Sequence, residues 1–360
     1  MPGISWNIQK KRFYAFFITI FLVGFLACNN AATAAEAKVI RLRYCSAYMA
    51  SEPPNKQANH ALDLVEEKTK GKVKISRFMG GTLGGALEQL DLVSSGAVDI
   101  IALHVDQFPQ QLPLHQIMNT EQLVGREQGL ANVTALTMEI EDTKAIFEEE
   151  QRKNNIKILY WHVQGPTGIT AGFPANSLAD LKGKKVSVIS GFQRKVFNEL
   201  GWIPVNVQIP ELYESLSRGV IEAIFMATSA VVPLKWYEVG KTHLVLSDNV
   251  ALSQPITLNL DKWNELPGDV KQAFIEASRE TAKWSIREDL RIVEDTYDAF
   301  KKAEVKMVPV SREENDVFFE VLLRYAMEEY LDNTKARGVE DKAAVILKYW
   351  NKMKWGKREE

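Results

Sequence analysis

The residues whose types could support chemistry are few and lie far apart along the chain. No two histidines form the i, i+4 helix pair or the His-x-His strand pair that is typical of a metal site. They are His60, His104, His115, His162 and His243. Gly-x-Ser-x-Gly is absent, so the sequence does not indicate a nucleophile elbow. It therefore predicts no metal centre, no cofactor and no nucleophilic enzyme.

Two of these histidines stand where a ligand could reach them. His104 and His162 each end a predicted strand, and α/β proteins bind ligands at the carboxyl ends of their strands. Cys45 also ends a strand, but nothing marks it as a reactive thiolate, and we interpret it as packing against ligand or core. The glycines at 80, 81, 84 and 85 precede a helix without phosphate-loop or Rossmann spacing, so we interpret them as shaping a turn.

The elements that must position these residues alternate between strand and helix patterns. Period-two alternation predicts the strands, and apolar residues at helical spacing predict helices between them. Strand and helix in turn indicate an α/β architecture with helices covering a sheet. The predicted strands are 40–44, 73–78, 98–103, 156–162, 186–189, 205–209 and 223–226, with the last four in a second sheet.

Residues 267–300 differ, because an uninterrupted helical pattern follows Pro267. One apolar stripe is followed by a second on another face, and the helix would be about 50 Å long at 1.5 Å per residue. We therefore predict one helix that packs on two bodies in turn, with a break near Ser285 as the alternative. The stripes are Val270, Phe274, Ala277, Thr281 and Trp284, then Ile286, Leu290, Val293, Tyr297 and Phe300.

The first residues resemble an export signal, with three basic residues at 10–12 ahead of an apolar run over 13–27. The run is shorter than the about 20 residues that span a bilayer, which disfavours a retained anchor. We predict a signal peptide over residues 1–35 and soluble release at a small-x-small site. Lipidation of Cys28 is the alternative.

Removal of the signal changes the net charge from −2 to about −5, and a mildly acidic chain does not favour nucleic-acid binding. Cys45 is then the remaining cysteine, so no internal disulfide is expected. About 325 mature residues suggest two domains.

Five ordered segments resemble the solute-binding proteins of tripartite ATP-independent periplasmic (TRAP) transporters. They are LVEEKTKGKVKI (64–75), GGTLGGALEQLDLVSSGAVDI (80–100), LADLKGKKVSVISG (178–191), ELYESLSRGVIEAIF (211–225) and LDKWNELPGDVKQAFIEAS (260–278). The resemblance covers nearly all of residues 38–338. It implies a two-lobed α/β fold of the periplasmic-binding-protein type, with a ligand cleft between the lobes and a long bridging helix.

The resemblance also implies a division of the chain. Lobe I is expected to comprise 38–160 with about 248–280, and lobe II to comprise 161–247 with about 281–338. Residues 339–360 are predicted to form a C-terminal helical extension that packs on the body, a membrane-surface role being the alternative.

At one position the chain departs from this family. The family's "DLKG-x-K-I-R-V-x-G" segment carries an Arg that pairs with the substrate carboxylate, and Ser187 stands there instead. A hydroxyl offers one neutral donor where a guanidinium offers a bidentate, charged pair. Met226 stands where the family commonly has an Asn, and residues 161–173 contain no Arg. The usual Arg–carboxylate pair is therefore not expected.

Two explanations remain open. The ligand is neutral, aromatic or weakly acidic and is held by aromatic rings and hydroxyl groups, or a displaced cation, Arg194 or Lys195, meets a carboxylate. We favour the first, and for the two cations a solvated helix face is the alternative. The residues predicted to bind the ligand are Tyr44, Ser46, His104, Trp161, His162, Ser187, Ser190, Phe192, Met226 and Trp236.

The function implied is that of an exported, periplasmic receptor. It captures a small organic solute by lobe closure and delivers it to the subunits of a TRAP-type membrane permease, without catalysing a reaction. One alternative is a receptor of the same fold that serves a sensor kinase or another transporter. Another is an enzyme that uses His104, Cys45 or Glu222.

Overall fold

The structure is a computed structural model that describes residues 39–120, 126–246 and 251–353, without the side chains of 126, 160, 162–164 and 251–254. The predicted signal peptide and Cys28 lie outside the described residues. The strands are β1 Ile40–Cys45, β2 Val73–Phe78, β3 Ile100–Ala102, β4 Ile156–Gln164, β5 Thr167–Ala171, β6 Lys185–Val188, β7 Ile203–Asn206, β8 Ala223–Ala227, β9 Thr242–Val245, β10 Ala251–Asn259 and β11 Lys306–Pro309.

Helices separate most of these strands. The α-helices are α1 Pro53–Lys68, α2 Gln89–Ser94, α3 Arg126–Thr134, α4 Glu141–Lys153, α5 Gly191–Glu199, α6 Leu212–Ser217, α7 Leu260–Glu265, α8 Gly268–Lys302, α9 Arg312–Ala336 and α10 Glu340–Trp350. Single turns of 3₁₀-helix lie at Ala86–Glu88, Val105–Gln107, His115–Asn119, Leu178–Leu181, Ile209–Glu211, Thr228–Ala230, Trp236–Glu238 and Asn351–Met353, and a π-helix at Ala135–Glu139.

The first sheet has the strand order β2-β1-β3-β10-β4. Strands β1 and β3 are parallel, and β10 is antiparallel to both β3 and β4. Residues 156–162 therefore belong to this sheet, and the prediction that they begin the second one is wrong. Their pairing partner, β10, lies about ninety residues further along the chain, a distance over which local patterns carry no information.

The second sheet has the order β11-β9-β5-β8-β6-β7. Strand β6 runs parallel to β7 and β8, whereas β5 is antiparallel to β8 and β9. The strand predicted at 205–209 lies at Ile203–Asn206, because a 3₁₀ turn begins at Ile209. Two mixed sheets with helices confirm the predicted α/β class.

Helix α8 is continuous over 35 residues, so the alternative of a break near Ser285 is wrong. Its first half packs on α1, where the ring of His60 stacks on Trp284 at 4.0 Å between centroids. In its second half, Phe300 packs 4.6 Å from His243 of the second sheet. The predicted packing on two bodies is therefore confirmed. Leu290, assigned to the second stripe, is 43 % exposed instead, and Asp289 is buried.

Helix α9 also spans both sheets. It begins with a Ser N-cap, because the Ser311 hydroxyl accepts from the Glu314 N–H at 3.2 Å and donates to Glu314 Oε2 at 3.0 Å. Its first half packs on the second sheet through Phe318 and Phe319, and Tyr330 lies in the core of the first. Helix α10 packs on the same core through Ala343, Ile346 and Trp350, within the segment predicted as a C-terminal helical extension.

The two faces of the second sheet pack against different residues. The outer cluster, beneath α5 and α9, includes Ile169, Val186, Val188, Phe225, Phe318 and Phe319. The inner cluster includes Val207, Leu212, Leu216, Ile224, Trp236 and Phe300. Side chains alternate between faces along each strand, so the residues between those of the outer cluster point to the inner side.

On the inner face, Gly168 leaves room for the buried ring of His243. A Cβ at Gly168 would lie 2.5 Å from both Cε1 and Nε2 of that ring. We expect Gly168→Ala to lower the free energy of unfolding by about 1–3 kcal/mol, the usual cost of overpacking a core. Urea denaturation measures this. Gly268→Ala is the matched control, because a Cβ there meets nothing within 4 Å. Equal stability of the two variants would contradict the prediction.

Candidate functional site

The carboxyl ends of β1 and β3 bring three of the predicted residues to one edge of the first sheet. The two strands are parallel, with Tyr44 beside Ile100. Ser46 follows β1, and His104 follows β3. This edge is where open α/β sheets bind ligands.

Asn55, in the first turn of α1, holds the segment after β1 in place. Its Oδ1 accepts from the Tyr44 hydroxyl at 2.8 Å, and its Nδ2 donates to the carbonyls of Tyr48 at 2.6 Å and Met49 at 3.0 Å. The Tyr48 N–H donates to the Ser46 hydroxyl at 3.2 Å. Burial raises the pKa of Tyr44, so its hydroxyl stays neutral and donates. These hydrogen bonds of Asn55 could not be predicted from the sequence, which shows only that a polar residue follows Pro53-Pro54.

The ring of His104 lies against this segment. It stacks on Tyr48 at 5.0 Å between centroids, and its Nδ1 lies 2.8 Å from Gln89 Oε1. Burial lowers the pKa of His104, so the ring is neutral at pH 7. Gln89 is fully buried and was missed, because no sequence pattern distinguishes it from a surface residue of a short helix.

A second group of predicted residues lies on the inner face of the second sheet. Ser187 is 2 % exposed and stands beside Ile224 of the inner cluster, while its neighbours Val186 and Val188 belong to the outer cluster. Met226 packs at the margin of the inner cluster, and Trp236 lies within it. Ser187, Met226 and Trp236 therefore share one side of the sheet.

The start of α5 carries a negative charge from the chain itself. A Cβ at Gly191 would lie 2.8 Å from Glu329 Oε2, so this carboxylate of α9 stands at the first turn of α5. The Phe192 N–H donates to it. Burial raises the pKa of Glu329, and the Phe192 N–H and Lys195 oppose that shift. Glu329 lies beyond the predicted site residues, and its distance of more than 130 positions from Gly191 hid it from sequence reasoning.

The cations considered as replacements for the family Arg are on the same helix. Lys195 Nζ pairs with Glu328 Oε1 at 2.8 Å, and both side chains are about half exposed. Arg194 is exposed. Neither Arg194 nor Lys195 is buried beside Ser187, where the family Arg would stand.

The remaining predicted residues lie elsewhere. Trp161 is buried in the core of the first sheet, where it stacks on His115 at 6.3 Å. Ser190 precedes α5, and its hydroxyl is buried without a partner among the described residues. Phe192 packs against the outer cluster. The side chain of His162 lies outside the described residues. Ligand contact by any of the ten stays a prediction.

The groups considered for catalysis do not converge. Cys45 is buried and burial raises its pKa, which keeps the thiol protonated. Glu222 immediately precedes β8 of the second sheet, where its Oε1 lies 3.0 Å from Lys184 Nζ and hydrogen bonding to the Lys185 N–H lowers its pKa. Within the described ranges, no three His, Cys, Asp or Glu side chains are arranged to hold a metal ion. Nor is any described helix long and apolar enough to cross a membrane.

Two mixed sheets with helices, both contacted by the 35-residue helix α8, have the architecture expected of a two-lobed solute-binding protein. Comparison with known proteins agrees. Residues 46–333 match the family model for bacterial extracellular solute-binding proteins, family 7, so the chain belongs to that family.

Individual relatives are distant in sequence but similar along most of their length. The 2,3-diketo-L-gulonate-binding periplasmic protein YiaO of Escherichia coli is 24 % identical over 80 % of this chain and 86 % of its own. A TRAP periplasmic solute-binding protein of Desulfovibrio salexigens, in an open complex, has a TM-score of 0.74 at 24 % identity, covering 89 % of this chain and 98 % of the other. A second, from Desulfovibrio salexigens with bound orotic acid, has a TM-score of 0.74 at 19 % identity, covering 87 % and 99 %. These likenesses confirm the two-lobed fold.

His243 gives the inner face a measurable dependence on pH. Its Nδ1 lies 3.1 Å from Thr170 Oγ1, its Nε2 lies 3.4 Å from Thr228 Oγ1, and burial lowers its pKa to about 3. Below about pH 6.5 the His243 ring is protonated in the unfolded chain, whereas in the folded chain it stays neutral until the pH approaches 3. The contribution of His243 to the free energy of unfolding therefore has its full value above pH 6.5 and decreases as the pH falls towards 3.

We expect His243→Gln, which cannot titrate, to reduce the slope of unfolding free energy against pH between pH 4 and 6. The reduction is at most about 1.4 kcal/mol per pH unit, the value for one proton. Chemical denaturation across that pH range measures it. His60→Gln, at a half-buried ring, is the control and should change the slope less. An unchanged slope in His243→Gln would contradict the assignment.

Proposed function

We propose that this protein is an exported receptor that binds a small organic solute between the edge of its first sheet and the inner face of its second. The closed form is then presented to a TRAP-type permease, and no cofactor takes part. Family membership supports this, as does the two-lobed fold with α8 in contact with both sheets. A ligand that contacts both lobes would favour the closed state, because in the open state it contacts only one lobe.

We propose further that the solute is not held by an Arg–carboxylate pair. The observation that carries this proposal is Ser187, which is 2 % exposed on the inner face of the second sheet at the position of the family Arg. A ligand carboxylate at this position would meet one neutral hydroxyl instead of a guanidinium. Glu329 lies at the first turn of α5, the helix that follows this strand, and its carboxylate supplies no attraction for an anion.

A displaced cation would attract a ligand carboxylate only if its side chain reached the position of the family Arg, where Ser187 stands. Lys195 is engaged by Glu328, and Arg194 is on the exposed side of α5. The neutral ligand is therefore favoured. The separation of Cys45 and His104 from Glu222, on different sheets, favours a receptor over an enzyme.

Binding of matched pairs of compounds tests the ligand charge. Uracil and orotate differ by one carboxylate, as do 2-pyrrolidone and pyroglutamate. We expect the neutral member of a pair that binds to raise the melting temperature more, with at least about a tenfold lower Kd in calorimetry, because a desolvated unpaired charge costs several kcal/mol.

The variant Ser187→Arg should reverse this preference, since it restores a bidentate partner for a carboxylate. Ser187→Ala is the control for loss of the hydroxyl alone, and melting curves of both variants report folding. Tight binding of simple dicarboxylates, undiminished in Ser187→Ala, would overturn the neutral-ligand proposal and favour the displaced cation. Failure of the whole panel, including neutral sugars and amides, would count against the receptor function itself.

The export proposal is tested by the mass of the mature chain. Expressed in a Gram-negative host, the protein is expected in the soluble periplasmic fraction with the signal removed before about residue 38. Cys28→Ala should change neither location nor mature mass. Recovery from the membrane fraction with a lipid-modified Cys28, abolished by Cys28→Ala, would show that the lipid-anchor alternative is correct.

A further inference from the structure

The amide of Gln89 has a defined orientation beside His104. The backbone N–H of His104 donates to Gln89 Oε1 at 3.0 Å. Because a backbone N–H can only donate, the atom that it faces must be the amide oxygen, and the two ends of the amide cannot be exchanged. Gln89 is fully buried, and its Nε2 has no hydrogen-bond partner among the described residues.

This orientation determines the tautomer of the histidine ring. Nδ1 of His104 lies 2.8 Å from the same oxygen, so it must carry a proton and donate. In the neutral ring, Nε2 is then the acceptor. No described residue donates a hydrogen bond to Nε2, and Tyr48 covers one flat side of the ring.

The position of the ring matches that of a ligand contact. His104 follows β3 at the edge where Ser46 follows β1, and it is partly accessible while Gln89 is fully buried behind it. Of Gln89 and His104, the histidine is therefore the residue that a solute can reach, and its unused hydrogen-bonding atom, Nε2, is an acceptor.

We propose that Nε2 of His104 accepts a hydrogen bond from a neutral O–H or N–H group of the solute, and that Gln89 is the positioning residue that keeps the ring in this tautomer. The inference rests on the proposed receptor function. It identifies the solute as a compound with a hydroxyl, amide, lactam or ring N–H donor. An ionised carboxylate only accepts, so it does not satisfy this atom.

The tautomer is measurable without any ligand. Nitrogen-15 NMR of the histidine rings should show His104 protonated at Nδ1 alone in the free protein. Gln89→Leu removes the acceptor and should give a mixture of tautomers. In Gln89→Glu a carboxylate oxygen still accepts from both N–H groups, so the Nδ1–H form should return. A His104 ring protonated at Nε2 in the unmodified protein would overturn the inference.

The donor is tested with methylated probes. For uracil against 1,3-dimethyluracil, or 2-pyrrolidone against its N-methyl derivative, methylation removes the N–H. Methylation should weaken binding to the unmodified protein about tenfold or more, as expected when a hydrogen bond is lost and an acceptor is left unpaired. His104→Phe keeps a flat ring on Tyr48 but has no acceptor, so methylation should then have little effect.

The outcomes separate the two proposals. If the N–H compounds bind and His104→Phe is as sensitive to methylation as the unmodified protein, the inference fails while the receptor function stands. If neither these probes nor sugars bind, the receptor function fails, and the inference fails with it.

Discussion

Helix α8 has to bury two separate apolar faces, and much of the architecture follows from that requirement. Near its middle, Trp284 stacks on His60 of α1, and near its end Phe300 packs on His243 of the second sheet. Both apolar faces of α8 are removed from water only when α1 on the first sheet and the inner face of the second sheet pack against the helix. The two sheets are therefore coupled through one rigid element of 35 residues, while α9 contacts both cores a second time.

Around the start of α5, the chain combines a neutral residue at the position of the family Arg with a carboxylate of its own. The strand, turn and helix that carry the family Arg are all present, and Ser187 occupies that position on β6. Glu329 then supplies from within the chain the negative group that interacts with the first turn of the helix. The carboxylate interacts favourably with the positive end of the helix dipole.

Strand alternation and helical spacing in the sequence predicted those elements whose residues are close together along the chain. Alternation located β1 and β2, and the shifted stripe of α8 correctly indicated two packing bodies. Membership of β4 in the first sheet escaped prediction, because it depends on pairing with β10. The same holds at the candidate site. Ser187 and His104 stood out by position or type, whereas Gln89 and Asn55 acquire their roles only through side-chain contacts between separate elements.

The insertion of β10 between β3 and β4 has a consequence for the order of folding. Both neighbours belong to the first half of the chain, yet they do not pair with each other, and the strand that joins them ends at Asn259. As the polypeptide emerges from its amino end, the first sheet stays in two pieces until that residue is free. Contacts of such long sequence separation form slowly. The late completion of this sheet suits the proposed export, in which the chain crosses the membrane unfolded and forms the sheet afterwards.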